Sequence, residues 1–301
     1  MVKIRILVTG GSGLLGAKIA EVGIRHGHHI TLGFNSHTLE PGNSLKLDVT
    51  DSHEVTRAFE LVKPEAVIHA AALTDVDRCE REQKLAFKIN VEGTRNVLNA
   101  SNQLGSFLAF VSTDYVFSGE KGNYSEDDEA NPINFYGCTK LEAEQEVRKS
   151  PGDCCIVRPS VIYGSKPAAG KVNFALWVLN KLRDHEQIRV ITDQWVSPTL
   201  NTNLAQMILD VVENRHTGIF HLSGATQLSR YDFALELAEM LDLDAGLIQQ
   251  ATSKEMKWAA KRPVNSSLNV EKAKRSIDVK PLEIHESLSR LKKELEWRDN
   301  K

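Results

Sequence analysis

The sequence predicts an α/β fold: a doubly wound parallel sheet with a smaller C-terminal lobe. Three observations carry this. Short β-branched runs alternate with helical stretches through the first half, which implies parallel strands joined by right-handed crossovers. Those runs are apolar throughout, as strands covered on both faces must be. The first of them leads straight into Thr9-Gly10-Gly11-Ser12-Gly13-Leu14-Leu15-Gly16, a glycine-rich turn that opens a helix.

Residues 4–8 read as the first strand and 17–25 as a helix, with Ile19, Ala20, Val22 and Gly23 on one face. A second strand, 29–34, ends at polar Asn35-Ser36-His37; a third covers 45–49, and a helix covers 51–61. Pro64 breaks the chain before a strand at 66–70. A helix over 82–101, a strand at 107–112, a helix over 136–149 and a strand at 154–157 follow. The second half is less regular. Residues 166–171 lack periodicity and read as a mobile loop. Helices are expected at 173–182, 202–213, 231–241 (capped by Ser229) and 282–296, with a strand at 218–222. The boundary is placed near residue 160, with 218–222 returning to the first sheet and 161–301 forming mainly a substrate-binding lobe.

Composition narrows the class. The 301 residues are 41% apolar and 26% charged, near the average for a soluble globular chain. A net charge of -3 gives no electrostatic footprint for nucleic acid or an anionic membrane. No apolar run approaches the ~18 residues of a membrane span, and the apolar stretch in MVKIRILVTGGSG is too short for a secretory signal. Cys79, Cys138, Cys154 and Cys155 show no C-x-x-C spacing, so a cytoplasmic, thiol-reduced protein is expected. No metal site is expected, because the histidines lack ligand spacing and His26, His28 and His29 read as a solvated loop.

Gly10, Gly13 and Gly16 stand where a dinucleotide fingerprint has physical meaning. The first permits a tight turn, the second lets the backbone approach a pyrophosphate, and the third allows close helix–strand packing. Residues 1–160 are therefore read as a Rossmann-type NAD(P)-binding domain. Selectivity is set at the end of the second strand, where an NAD site usually places an acid. Here Asn35 and Ser36 stand instead. Repulsion against a 2′-phosphate is absent, so NADPH is the expected cofactor, with NADH possible. Asp48 and Val49, after the third strand, are placed at the adenine edge.

Tyr136 and Lys140 lie four residues apart on one helix face. A free phenol, with a pKa near ~10, is a poor acid or base at neutral pH, and a neighbouring ammonium lowers that pKa. Tyr136 can then protonate a carbonyl oxygen as hydride reaches its carbon, while Lys140 holds the nicotinamide ribose. Thr113 sits at the carboxyl end of a strand, where open α/β sheets place their ligands, and its hydroxyl can hold the carbonyl in line.

With these pieces in order, the chain resembles the extended short-chain dehydrogenase/reductase superfamily, and within it the dTDP-4-dehydrorhamnose reductase family. The segments that carry the likeness are HAAALTDVDRCE (69–80), STDYVF (112–117), NPINFYGCTK (131–140), RPSVIYG (158–164), DQWVSPT (193–199) and KRPVNSSL (261–268). The resemblance implies a catalytic triad of Thr113, Tyr136 and Lys140, with Asn90 joining a proton relay. It places Ala71, Ala72 and Thr74, with Leu14 and Leu15 of the glycine turn, against the cofactor. Asp77, Asp114, Tyr115, Val161 and Arg262 would face the substrate, with Arg262 near the nucleotide diphosphate.

The implied reaction is reduction of the 4-keto group of a nucleotide-linked 6-deoxy sugar, dTDP-4-dehydro-L-rhamnose to dTDP-L-rhamnose. Tyr115 stands where related dehydratases carry the second acid of a pair, which argues against dehydration. Val161 stands where the reductases usually carry Trp, so a large apolar contact to the sugar is missing, and Trp195 is a candidate to replace it. A different sugar nucleotide as substrate stays open. So does a second branch of the same family, the non-catalytic, NADP-binding regulatory β subunit of methionine adenosyltransferase. A homodimer is expected by superfamily analogy only.

Overall fold

The computed structural model describes residues 3–36, 43–168 and 171–299. His37 of the polar strand end, and residues 169–170 of the loop read as mobile, lie outside them.

Seven parallel strands form the central sheet among the described residues. They are β1 (Arg5–Thr9), β2 (His29–Phe34), β3 (Ser44–Lys46), β4 (Ala66–His69), β5 (Phe107–Val111), β6 (Cys154–Arg158) and β7 (Gly218–His221). Their order is β7-β6-β5-β4-β1-β2-β3, so the chain reverses its direction of travel across the sheet between β1 and β4. That switch point opens a crevice at the carboxyl ends of the strands. β3 is shorter than the 45–49 predicted, and Leu47–Val49 run on as a loop that lines the crevice.

Both faces of the sheet are buried, which explains the unbroken apolar runs. On one side Ile6, Val8, Ile68 and Ala109 meet helix α1 (Leu14–Arg25) and helix α5 (Asn201–Glu213). On the other, Leu7, Val67, Leu108 and Phe110 meet α2 (Ser52–Val62), α3 (Gly93–Leu104) and α4 (Phe135–Arg148). Residues beyond 161 thus complete the first core: Leu204, Ile208, Phe220 and Ala273 all belong to it. A second core forms around Tyr163, Leu179, Phe233, Leu237 and Leu291. It includes a two-strand ladder, Ile188–Ile191 with Ile248–Ala251, that the sequence reading did not anticipate.

The helix expected over 82–101 runs without a gap over residues 83–104, but it carries a π bulge and is preceded by a separate short helix. A helix at Val76–Arg81 precedes a short one at Gln83–Phe87, followed by a π-helical turn at Lys88–Glu92 that feeds α3. The π turn carries Asn90, fully buried, and such bulges gather at functional sites.

Candidate active site

The site begins at the turn after β1. Gly10 has φ 71°, and a Cβ there would sit 2.8 Å from the Ala71 nitrogen. At Gly16 a Cβ would collide with the Gly10 carbonyl oxygen, so both glycines are required by the backbone itself. Gly13 differs. It caps α1 with ordinary dihedrals, and the nearest protein atom to an added Cβ is the Gly10 oxygen at 3.1 Å. A side chain at Gly13 would intrude chiefly on the crevice, which suits a pyrophosphate seated on the helix N-terminus.

The wall beside this turn is held by a buried chain of hydrogen bonds. The Ala71 N–H donates to Thr9 Oγ1 at 3.2 Å, and Thr9 Oγ1 lies 2.7 Å from His69 Nδ1. His69 Nε2 lies 3.1 Å from Thr94 Oγ1, whose hydroxyl donates to the Asn90 carbonyl at 2.6 Å. Only one tautomer lets every hydroxyl both give and receive: Nδ1 accepts and Nε2 donates. Burial, aided by the Lys140 charge, pushes His69 down to about 3, which keeps it neutral and preserves that direction. Neither His69 nor Thr94 was foreseen as part of the site.

Asn90 clamps the same wall with its side chain. Its Oδ1 accepts from the Leu73 N–H at 2.8 Å, while Nδ2 donates to the Leu73 carbonyl at 3.2 Å and to Thr139 Oγ1 at 3.0 Å. With both ends of the amide engaged, Asn90 joins the β4 loop to the helix of Tyr136, a positioning task.

Thr113, Tyr136 and Lys140 converge on one cavity of about 710 Å³, shared with Gly13, Asn35, Ser36, Asp48, Val49, Ala71, Ala72 and Thr74. Asn134 caps α4 by accepting from the Gly137 N–H at 2.9 Å, which fixes the turn that carries Tyr136. Burial pushes the Tyr136 phenol up, and a hydrogen bond with Thr113 opposes it. Lys140 Nζ donates to the Val111 carbonyl at 2.8 Å and sits 4.1 Å from the centre of the Phe110 ring. Burial pulls its ammonium down to about 7, against the upward pull of Glu144. Glu144 is held from below by Arg158, with nitrogen–oxygen distances of 2.9 and 2.6 Å, and by Ser112 Oγ at 2.5 Å.

The family described as RmlD substrate binding domain matches residues 4–297. The chain belongs to that family. A dTDP-4-dehydrorhamnose reductase from Bacillus anthracis, solved in complex with NADP, superimposes with a TM-score of 0.88 at 30% identity, covering 97% of this chain and 100% of that one. A dTDP-4-dehydrorhamnose reductase of Streptomyces griseus is 32% identical over 88% of this chain and 85% of its own. The methionine adenosyltransferase 2 subunit beta of Xenopus tropicalis is 30% identical over 89% of this chain and 81% of its own. Within the family, this chain is an oxidoreductase resembling the dTDP-4-dehydrorhamnose reductases.

Several residues of this RmlD-family chain sit differently from expectation. Asp77 and Arg262 pair with each other at 3.0 Å, and neither reaches the cavity wall. Asp77 also accepts from the Ala259 and Ala260 N–H groups, at 2.9 and 3.0 Å, and the Arg262 guanidinium lies over Trp258. Together they tie the Val76–Arg81 helix to the segment before KRPVNSSL.

Asp114 borders the cavity, but its carboxylate is occupied. Oδ2 accepts from Ser160 Oγ at 2.8 Å and Ser266 Oγ at 2.6 Å, and Oδ1 accepts from Thr113 at 3.1 Å. Asp114 thus fastens the end of β5 to the lobe. Tyr115 and Val161 do line the cavity, whereas Trp195 pairs with Ser229 outside it and does not replace the missing ring. Arg230, which the sequence reading passed over, lines the cavity too.

The expected solvated histidine loop is partly buried. His28 Nδ1 faces the Ile4 N–H at 3.5 Å and Nε2 lies 2.7 Å from Glu213, which His26 also approaches at 3.3 Å. The Ile4 N–H calls for a lone pair on Nδ1, so Nε2 carries the proton donated to Glu213. That tautomer turns no lone pair toward the carboxylate, and hydrogen bonding accounts for the cluster without a metal.

Proposed function

We propose that the chain reduces the 4-keto group of a nucleotide-linked 6-deoxy sugar, dTDP-4-dehydro-L-rhamnose to dTDP-L-rhamnose, using NADPH. The observation that carries this reading is the convergence of Thr113, Tyr136 and Lys140 on the cavity that also holds the Gly10–Gly16 turn. The glycine at Gly13, where an added side chain would meet the Gly10 oxygen and intrude on the crevice, and the absence of an acid at Asn35 and Ser36 fit NADPH, as does the NADP complex of the Bacillus anthracis relative.

In this reading Gly13, Leu14 and Leu15 hold the pyrophosphate, Asn35 and Ser36 the adenosine 2′-phosphate, and Asp48 and Val49 the adenine. Ala71, Ala72 and Thr74 border the nicotinamide. NADPH, when bound, supplies the hydride. Thr113 orients the substrate carbonyl, and Tyr136, kept protonated by burial, gives its proton to the carbonyl oxygen. The Lys140 ammonium stabilises the phenolate left behind and binds the nicotinamide ribose. Tyr115 and Val161 border the sugar, and the residues after 160 form most of the lobe that closes over it.

The test is NADPH oxidation by purified protein with and without dTDP-4-keto-L-rhamnose. Saturable oxidation is expected, and Tyr136→Phe should lower kcat by about 10²–10⁴-fold while the NADPH dissociation constant stays unchanged. The similarity to the Xenopus tropicalis subunit supports a second reading, a non-catalytic NADP-binding partner of another enzyme. NADPH binding without turnover would select it.

A further inference from the structure

Two guanidiniums line the cavity, Arg78 and Arg230, and a third, Arg262, lies behind its wall; Arg78 and Arg262 are neutralised. Arg78 is paired with Glu82 at 2.9 and 3.0 Å, and Arg262 with Asp77 at 3.0 Å. Arg230, the first residue of the helix Arg230–Met240, has no carboxylate within ion-pair distance among the described residues. Its contacts are to neutral groups: a side-chain hydrogen bond with Tyr115, and two bonds to Gln194. Nε donates to Gln194 Oε1 at 3.2 Å, the main-chain N–H donates to the Gln194 carbonyl at 3.0 Å, and the guanidinium carbon stands 5.2 Å from the centre of the Phe174 ring. Burial lowers the Arg230 pKa, and the neighbouring Tyr115 and Asp114 oppose that shift.

Asp114 does not serve as its counter-ion, because its oxygens are taken by Ser160, Ser266 and Thr113. Tyr115, next to Arg230, meets the Tyr136 ring edge-on at 6.1 Å between centres. The uncompensated cation therefore stands one aromatic ring away from the proton donor, on the substrate side. A guanidinium kept partly out of water without a counter-charge is costly unless a ligand supplies one, and its terminal N–H groups form a fork that matches a two-oxygen anion.

We propose that Arg230 is the residue that binds an oxyanion of the substrate, held in place by Gln194 and Phe174. The chemistry is a phosphate or carboxylate gripped by the guanidinium fork. Two sources can provide it: the diphosphate of the sugar nucleotide, or a carboxylate carried by the sugar. The proposal deepens the sugar-nucleotide reading given above and assigns to Arg230 the role that the sequence assigned to Arg262.

The test is titration calorimetry on the NADP-loaded protein with dTDP, thymidine, UDP-glucose and UDP-glucuronate, for the wild type, Arg230→Gln and Arg230→Lys. Retained NADP binding and an unchanged melting temperature serve as the fold control, and Arg230→Lys keeps the charge if Arg230→Gln fails to fold. For a diphosphate ligand, Arg230→Gln weakens dTDP by at least about 30-fold, Arg230→Lys by less, and thymidine by neither. For a sugar carboxylate, dTDP is unaffected, and the preference of the wild type for UDP-glucuronate over UDP-glucose collapses in Arg230→Gln. Equal affinities of all three proteins for every ligand overturn the proposal. Loss of dTDP binding in Arg230→Gln, in a protein whose wild type turns over no keto sugar, would sink the reductase reading and leave Arg230 as the anion site.

Discussion

The sheet half and the C-terminal lobe hold their charges in opposite ways. Under the sheet, Glu144 and Arg158 are buried at 0% and 2% side-chain exposure and joined by two hydrogen bonds, directly behind Lys140. In the lobe, pairs such as Lys181–Glu186 and Arg189–Glu255 lie on the surface, with side chains more than a third exposed. Arg230, which the lobe turns inward, has no acidic partner of its own among the described residues. The sheet half thus carries its counter-charges within the fold, whereas in the reading proposed above the lobe leaves one to be completed by a ligand.

Removing one partner in each half should separate the two designs. Glu144→Ala strands the Arg158 guanidinium in the core and should cost about 3–5 kcal/mol of stability in urea unfolding. Glu186→Ala should cost about 0–1 kcal/mol, because its pair is solvated. Equal losses would mean that the buried pair is not a structural anchor of the sheet.

The same pair sets a smaller, pH-dependent effect. Burial lowers Lys140 to about 7 while Glu144 pulls it upward. The ammonium that supports Tyr136 is present below that value, so kcat for ketone reduction should fall as pH rises through about 7. Glu144→Gln removes the upward pull and should move this descending limb to lower pH. Stability responds with the opposite sign. The unfolded chain keeps Lys140 protonated up to its ordinary value while the folded chain does not, so the Lys140 contribution to stability rises with pH across that window. A pH–rate profile that Glu144→Gln leaves in place would remove Lys140 as the titrating group.

What was readable in the sequence follows the same division. The strands of the sheet, the Gly10–Gly16 turn and the Tyr136/Lys140 spacing are local patterns, each contained within one or two elements. The pairing of Asp77 with Arg262 spans most of the chain, and no spacing rule could join them. Arg230 begins an ordinary capped helix, and its lack of a counter-ion among the described residues is visible only once the neighbouring carboxylates have been placed. The π turn at Lys88–Glu92 was invisible because the apolar periodicity on both sides runs through it. The ladder of Ile188–Ile191 with Ile248–Ala251 escaped because four-residue strands with distant partners leave little periodicity to read.

The smallest effect concerns the seam between the halves. Val161 has φ 28°, in a region that β-branched residues avoid, and it borders the cavity. Its neighbours hold it there. The Val161 carbonyl accepts from the Thr199 N–H at 3.0 Å, Ser160 Oγ donates to Asp114 at 2.8 Å, and Ile162 pairs with Thr199 in a short ladder. Such a residue stores about 1–3 kcal/mol of strain. Glycine releases that strain but adds about 0.5–1 kcal/mol of backbone entropy cost, so Val161→Gly should leave stability unchanged or raise it by up to about 2 kcal/mol. Val67→Gly, at a fully buried position of β4, loses both the side-chain burial, about 1.5–3 kcal/mol, and the backbone term. Urea unfolding of the two variants, side by side, decides the matter. If Val161→Gly costs as much as Val67→Gly, packing rather than the Asp114–Ser160 fastening holds the seam. If it costs nothing, the strain is what the fold accepts to bring Val161 to the edge of the cavity.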